Sequence, residues 1–130
     1  MSSVIYASIS ALLITWLSMN VVYKRREHRV SIGDGDNEIL ATAMAAQSNA
    51  IEYIPIYLLL LFALEYNQGN VWLVHGFGVA LIAGRLIHAR GLLGGKLKTR
   101  VLGMQITLYT LIGLAITNLF YVPYAKFALH

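Results

Sequence analysis

The chain contains no cysteine among its 130 residues. That absence excludes disulfides, thiolate metal sites and a cysteine nucleophile, so any thiol chemistry must use a thiol brought by a ligand. Charge is also scarce: 12% of residues are Asp, Glu, Lys or Arg, against 58% hydrophobic. A soluble domain of this size needs a more polar surface, and here the apolar residues fall in long runs. No stretch alternates apolar and polar residues in the short segments of a membrane barrel. Internal repeats, low-complexity tracts and a separate soluble domain are absent as well. No Lys or Arg precedes the first apolar run, which is full length and followed by a basic cluster, so it reads as a retained span rather than a cleaved signal peptide.

What is present is four apolar runs, at about Val4–Tyr23, Ile39–Tyr66, Val71–Leu92 and Val101–Tyr121, each reaching the roughly 20 residues that cross ~30 Å of hydrocarbon. Spans of this kind must be helical to satisfy their backbone. The expected fold is therefore an all-α, integral-membrane four-helix bundle in a single domain covering residues 1–130. Lys24, Arg25, Arg26 and Arg29 follow the first span, and Arg90, Lys96, Lys98 and Arg100 surround the turn between the third and fourth. Both clusters lie on one side of a four-span chain. The positive-inside rule makes that side cytoplasmic and places both termini outside. The net charge of +4 thus follows topology, and nucleic acid is not an expected partner.

The loop from Lys24 to Asn37 carries Gly33-Asp34-Gly35-Asp36-Asn37, a turn-forming run. Asp36 or Asn37 is placed to cap the second helix, with Glu38 in its favourable first turn. The Asp-x-Asp pair lacks the further ligands of a calcium loop, and no metal site is expected. Pro55 lies inside the second run, where it removes a backbone hydrogen bond and either shapes a pocket or serves packing. Gly76, Gly78, Ala80 and Gly84 in the third span, and Gly103 and Gly113 in the fourth, suit close helix approach. Trp16, Trp72, Tyr121 and Tyr124 are candidate interfacial anchors.

Two ionisable residues stand inside the apolar runs. A charge at the centre of a membrane helix costs at least ~2.5–3.5 kcal/mol and so faces a protein interior. Asn49, Glu52 and Tyr53 share one face of the second helix, and Arg85 and His88 one face of the third. Glu52 lies about 21 Å beyond Glu38, and Arg85 about 10 Å before Leu92, at 1.5 Å per residue. Both are then reachable by a cytosolic ligand. One reading is a Glu52–Arg85 ion pair that fixes helix register, with Asn49 as an interhelical hydrogen-bond donor. The other is a ligand site, because Arg25, Arg26, Arg29, Arg85, Arg90 and Arg100 can gather at the cytoplasmic mouth. Arginine forks bind carboxylates, Glu52 can accept from an ammonium, and Asn49 and Tyr53 add neutral hydrogen bonds. That inventory suits a small zwitterion with more than one carboxylate. His88 is either a proton-transfer residue or a hydrogen-bonded interfacial histidine.

These residues carry a resemblance. Arg25-Arg26-x-x-Arg29-Val30-Ser31, Gln47-x-Asn49-x-x-Glu52-Tyr53-x-Pro55, Gly84-Arg85-x-x-His88-Ala89 and Arg100 at the start of the fourth span together resemble the MAPEG family, the membrane-associated proteins in eicosanoid and glutathione metabolism. The glycine-rich Gly33–Asp36 run is similar to the bacterial branch. The resemblance implies a homotrimer of four-helix protomers in the bacterial inner membrane. Glutathione would bind as co-substrate between adjacent protomers near the cytosolic side. Arg26, Arg29, Gln47, Asn49, Glu52, Tyr53, Arg85 and His88 match glutathione-contacting or site-lining positions. Arg100 matches the catalytic arginine that stabilises the thiolate, with Lys98 as the alternative. A fixed positive charge lowers a thiol pKa, and the thiolate would attack an apolar electrophile arriving from the bilayer.

Several eicosanoid enzymes of that family have an arginine where this chain has Ala45 and a tyrosine where it has Leu92. The resemblance therefore implies a general glutathione transferase or peroxidase rather than leukotriene or prostaglandin synthesis. Its alternative is a non-catalytic lipid- or ligand-binding member. A small multidrug transporter is similar in size but needs a carboxylate in its first span, which here has no ionisable residue.

Overall fold

The computed structural model describes residues 1–123; the candidate anchor Tyr124 lies outside them. Four helices account for nearly all of that length: α1 (Ser3–His28), α2 (Glu38–Tyr66), α3 (Val71–Leu93) and α4 (Leu97–Tyr121). All four are long and apolar enough to cross a membrane. At 1.5 Å per residue even α3, with 23 residues, is about 35 Å long, so each helix can project past the hydrocarbon. The boundaries expected from sequence hold within a few residues. The exceptions are the α1 end, extended to His28 through the basic cluster, and the α4 start, four residues before Val101.

Local chemistry sets the ends. Asn37 caps α2, its side chain accepting from the Leu40 amide at 3.0 Å, and Asn70 caps α3 through the Trp72 amide at 2.8 Å. α1 ends where Arg29 takes a left-handed conformation, φ 56°, and the Val30 amide returns to the Arg25 carbonyl at 3.0 Å. This is a Schellman-type closure that satisfies carbonyls the helix leaves open. The Arg25 guanidinium then donates to the Gly33 carbonyl at 2.8 Å, folding the loop back over α1.

Consecutive helices run antiparallel. Ser3 meets Glu65 and Ser18 meets Gln47 across α1 and α2. Tyr57 meets Phe77 and Asn49 meets Arg85 across α2 and α3. α3 and α4 form the closest pair, α2 touches the other three helices, and α1 and α4 do not touch. The core between them is built by Leu17, Ile54, Tyr57, Leu61, Leu64, Leu81 and Leu114, all almost fully buried. Tyr57 resolves its own polarity by donating to the Phe77 carbonyl at 2.7 Å. At the N-terminal end of α1, Glu65 accepts from the Ser2 amide at 2.6 Å and from the Ser3 hydroxyl at 2.6 Å. A carboxylate from α2 thus neutralises the positive end of α1.

The outside of the bundle is apolar. Leu12, Leu59, Val79, Ile112, Leu119 and Phe120 are each more than half exposed. In water such a surface would drive aggregation; against lipid or against another copy it is the expected exterior.

Candidate functional site

The α3–α4 contact positions the polar residues. A side chain at Gly91 would run into the Arg100 backbone, and one at Gly103 into the backbone of His88. These two glycines let the helices approach backbone to backbone at the loop end of the bundle. They fix where Arg100 and His88 stand. Gly103 also accepts the Thr107 hydroxyl at 3.0 Å, and Thr107 in turn accepts from Arg85 Nε at 3.0 Å.

Arg85 is 2% exposed. Its Nη1 donates to Asn49 Oδ1, its Cζ stands 5.5 Å from the centroid of the Tyr53 ring, and Nη2 lies 4.0 Å from Met104 Sδ. Every partner is neutral. Among the described residues the only side-chain ion pair is Lys24–Glu27, at 3.4 Å on the surface. The register-fixing Glu52–Arg85 pair, one of the two sequence readings, is not formed: Glu52 is exposed on α2, with no partner among the described residues. Burying a guanidinium without a carboxylate is costly. The neutral partners, with the ring quadrupole of Tyr53, offset part of that cost.

Asn49 connects this buried arginine to a cavity of about 430 Å³. The cavity is lined by Ala45 and Asn49 from α2, His88 and Leu92 from α3, and Leu97, Arg100, Val101, Met104 and Gln105 from α4. Because Arg85 has only donors, Asn49 offers it Oδ1 and keeps its amide protons for the cavity. His88 is buried and Arg100 exposed. No carboxylate is in the lining. α4 moreover opens with Lys96, Lys98 and Arg100, no acidic residue in its first turn and no side-chain cap. Cations at a helix N-terminus oppose the macrodipole, and an anion placed there relieves both. Apart from Gln105, the remaining lining of Ala45, Leu92, Leu97, Val101 and Met104 is apolar. The size and make-up fit a small-molecule site.

The structure separates residues that the sequence grouped. Asn49, His88 and Arg100 share the cavity, with Arg85 and Tyr53 behind Asn49. Gln47 faces the other way, donating to Ser18 of α1 at 3.0 Å. Arg26 and Arg29 line a different groove of about 320 Å³ with Arg25, Val30 and Ser31. Pro55 lies exposed on a helix that continues unbroken through it. The sequence did not single out Leu97, Val101, Met104 and Gln105 of the lining, or Thr107 beside Arg85. Thr107 sits in an apolar run where a hydroxyl has ordinary packing uses. Gln105 did carry a signal, as an amide in an apolar run five residues after Arg100.

The fold and site define a membrane protein of four spanning helices with a cation-lined cavity between α2, α3 and α4. A family model described as the MAPEG family matches residues 3–120. The chain is similar to the inner membrane protein YecN of Escherichia coli strain K12, at 40% identity over 124 residues, covering 95% of each chain. It is equally similar to the protein of that name in E. coli O6:H1. The chain belongs to the MAPEG family.

Proposed function

We propose that this protein is an inner-membrane thiol transferase that binds glutathione in the α2–α3–α4 cavity and adds its thiolate to apolar electrophiles. The observation that carries the reading is the lining itself: Arg100, His88 and the Asn49 amide beside the apolar Leu92, Leu97, Val101 and Met104, and no carboxylate. Glutathione is a net anion with two carboxylates, so its binding would supply the missing negative charge. Arg100 next to the sulfur would favour thiolate over thiol. The apolar wall would receive the electrophile, and no metal is required by this chemistry.

The site is completed in a homotrimer on this reading. Glu52 on the exposed face of α2, and Arg26 and Arg29 in their separate groove, would reach glutathione bound at a neighbouring protomer's cavity. Gln47 would support that edge through its bond to Ser18. The basic loops face the cytoplasm and the termini lie outside.

Calorimetry on detergent-purified protein tests the binding step. Glutathione is expected to bind the native chain, with affinity at least tenfold lower in Arg100→Ala and in Glu52→Ala. Glutathione binding unchanged in both variants would place the ligand elsewhere. The mostly apolar wall supports one second reading, a non-catalytic lipid- or ligand-binding protein. Its mark is lipid binding that is independent of glutathione, with no conjugate formed from any electrophile.

A further inference from the structure

We infer that Gln105 recognises the electrophile of this cavity, and that the class it selects is an apolar molecule bearing a carbonyl conjugated to a carbon–carbon double bond. The inference rests on the thiol-transfer reading above. Gln105 stands eight residues into α4 from Leu97, about 12 Å along the helix at 1.5 Å per residue. It is exposed, lines the cavity and has no partner among the described residues. A primary amide left unmatched in an apolar layer is unfavourable, so its natural complement is a ligand atom.

The chemistry of the complement follows from the neighbours. The cavity's Arg100, buried His88 and half-buried Asn49 suit an anionic thiol. Gln105 is the further polar residue of the lining, in the same helix as the apolar Val101 and Met104. Its amide is neutral, so it matches a neutral acceptor such as a carbonyl oxygen rather than a carboxylate, which arginine binds better. Spacing narrows the class further. Arg100 and Gln105 are five residues apart on one helix, about 7.5 Å along the axis. A sulfur held by Arg100 and an oxygen held by Gln105 must therefore be separated by several bonds. In a conjugated carbonyl the attacked carbon and the oxygen are three bonds apart. In an epoxide the oxygen is bonded to the attacked carbon itself.

The step balances without any further reactant. The thiol loses its proton to water. A sulfur lone pair forms the S–C bond at the β carbon, and the double-bond electrons move through the α carbon to leave an enolate oxygen. The Gln105 amide N–H donates to that oxygen, which carries more charge in the transition state than in the substrate. Water then returns a proton to the α carbon and the carbonyl re-forms. Nothing is oxidised or reduced and no group leaves.

The test uses the full chain in phospholipid nanodiscs with glutathione and two electrophiles of similar apolar area, a nine-carbon 2-alkenal and a 4-alkylbenzyl chloride without a hydrogen-bond acceptor. Gln105→Leu is expected to lower kcat/KM on the alkenal about ten- to a hundredfold while leaving the benzyl chloride within about twofold. Tyr109→Phe, one turn deeper on the same face but outside the cavity lining, is expected to change neither. Equal losses on both electrophiles, or no loss on the alkenal, would overturn the assignment. Binding of the inert ketone 2-nonanone, measured without glutathione, separates this inference from the reading beneath it. If the native chain conjugates neither electrophile, thiol transfer fails. Ketone binding then decides Gln105: weakened several-fold in Gln105→Leu it supports the recognition role, and unchanged it refutes it.

Discussion

Arg85 shows how much a single side chain organises here. It is buried, it is always charged, and it is held by Asn49, Thr107 and the Tyr53 ring rather than by a carboxylate. Thr107→Val keeps the shape but removes the acceptor for Nε, leaving a buried donor unmatched. The expected cost is about 1–3 kcal/mol, read as earlier unfolding in a denaturing-detergent titration of mixed micelles. Wild-type stability in that variant would show that water or lipid replaces the bond. Glu65 gives a simpler case at the N-terminal end of α1. Glu65→Gln removes the carboxylate that accepts from the Ser2 and Ser3 amides, with an expected loss of about 0.5–2 kcal/mol, the range of a helix N-cap. At this scale the sequence was informative about identity and uninformative about partners. That Arg85 must face protein followed from its place in an apolar run. That it would meet Thr107 rather than Glu52 did not, because one helix's periodicity fixes a face and leaves the opposing residue open.

The helix pair that decides the site is α3 with α4. Gly91 and Gly103 permit backbone contact at Arg100 and His88, and both of those residues line the cavity. Gly103→Ala forces a methyl group into the His88 backbone, so the helices must separate. Overpacking of this kind costs about 1–3 kcal/mol. Glutathione affinity is expected to fall along with stability, whereas Gly113→Ala, where the nearest atom is a Phe77 ring carbon at 3.4 Å, should do little to either. Equal effects of the two substitutions would remove the special role of the loop-end contact. Most element boundaries were legible beforehand because hydrocarbon thickness, the cap before α2 and glycine turns act locally. The α1 end and the α4 start were the exceptions: Leu97–Arg100 is basic and reads as loop, yet it lies in the helix, in backbone contact with α3 at Gly91.

For the whole molecule, the absence of cysteine makes topology directly measurable. Ser31→Cys lies in the loop after α1 and Gln68→Cys in the turn between α2 and α3. A membrane-impermeant maleimide applied to intact spheroplasts is expected to label the Gln68 variant alone, and the Ser31 variant only after permeabilisation. The opposite pattern would invert the orientation and carry the cavity mouth to the outer face, where cytosolic glutathione could not reach it. Assembly belongs to this scale too. An exterior as apolar as Leu12, Leu59 and Phe120 is satisfied by lipid or by another copy, while the exposed Glu52 on α2 is satisfied by neither lipid nor its own chain.

The sequence by itself determined the four spans, the cap of the second helix, the basic loops and the family, because these depend on composition and on contacts within a few residues. It also determined that Glu52 and Arg85 are out of place in hydrocarbon. Only the tertiary structure decided that they stay apart, that Gln47 turns to Ser18 of α1, and that Gln105 shares a cavity with Arg100. Those outcomes depend on how far two glycines let α4 sink against α3 and on how α2 is rotated above them. Interhelical distance and rotation come from the summed packing of many side chains, and no short stretch of sequence encodes them.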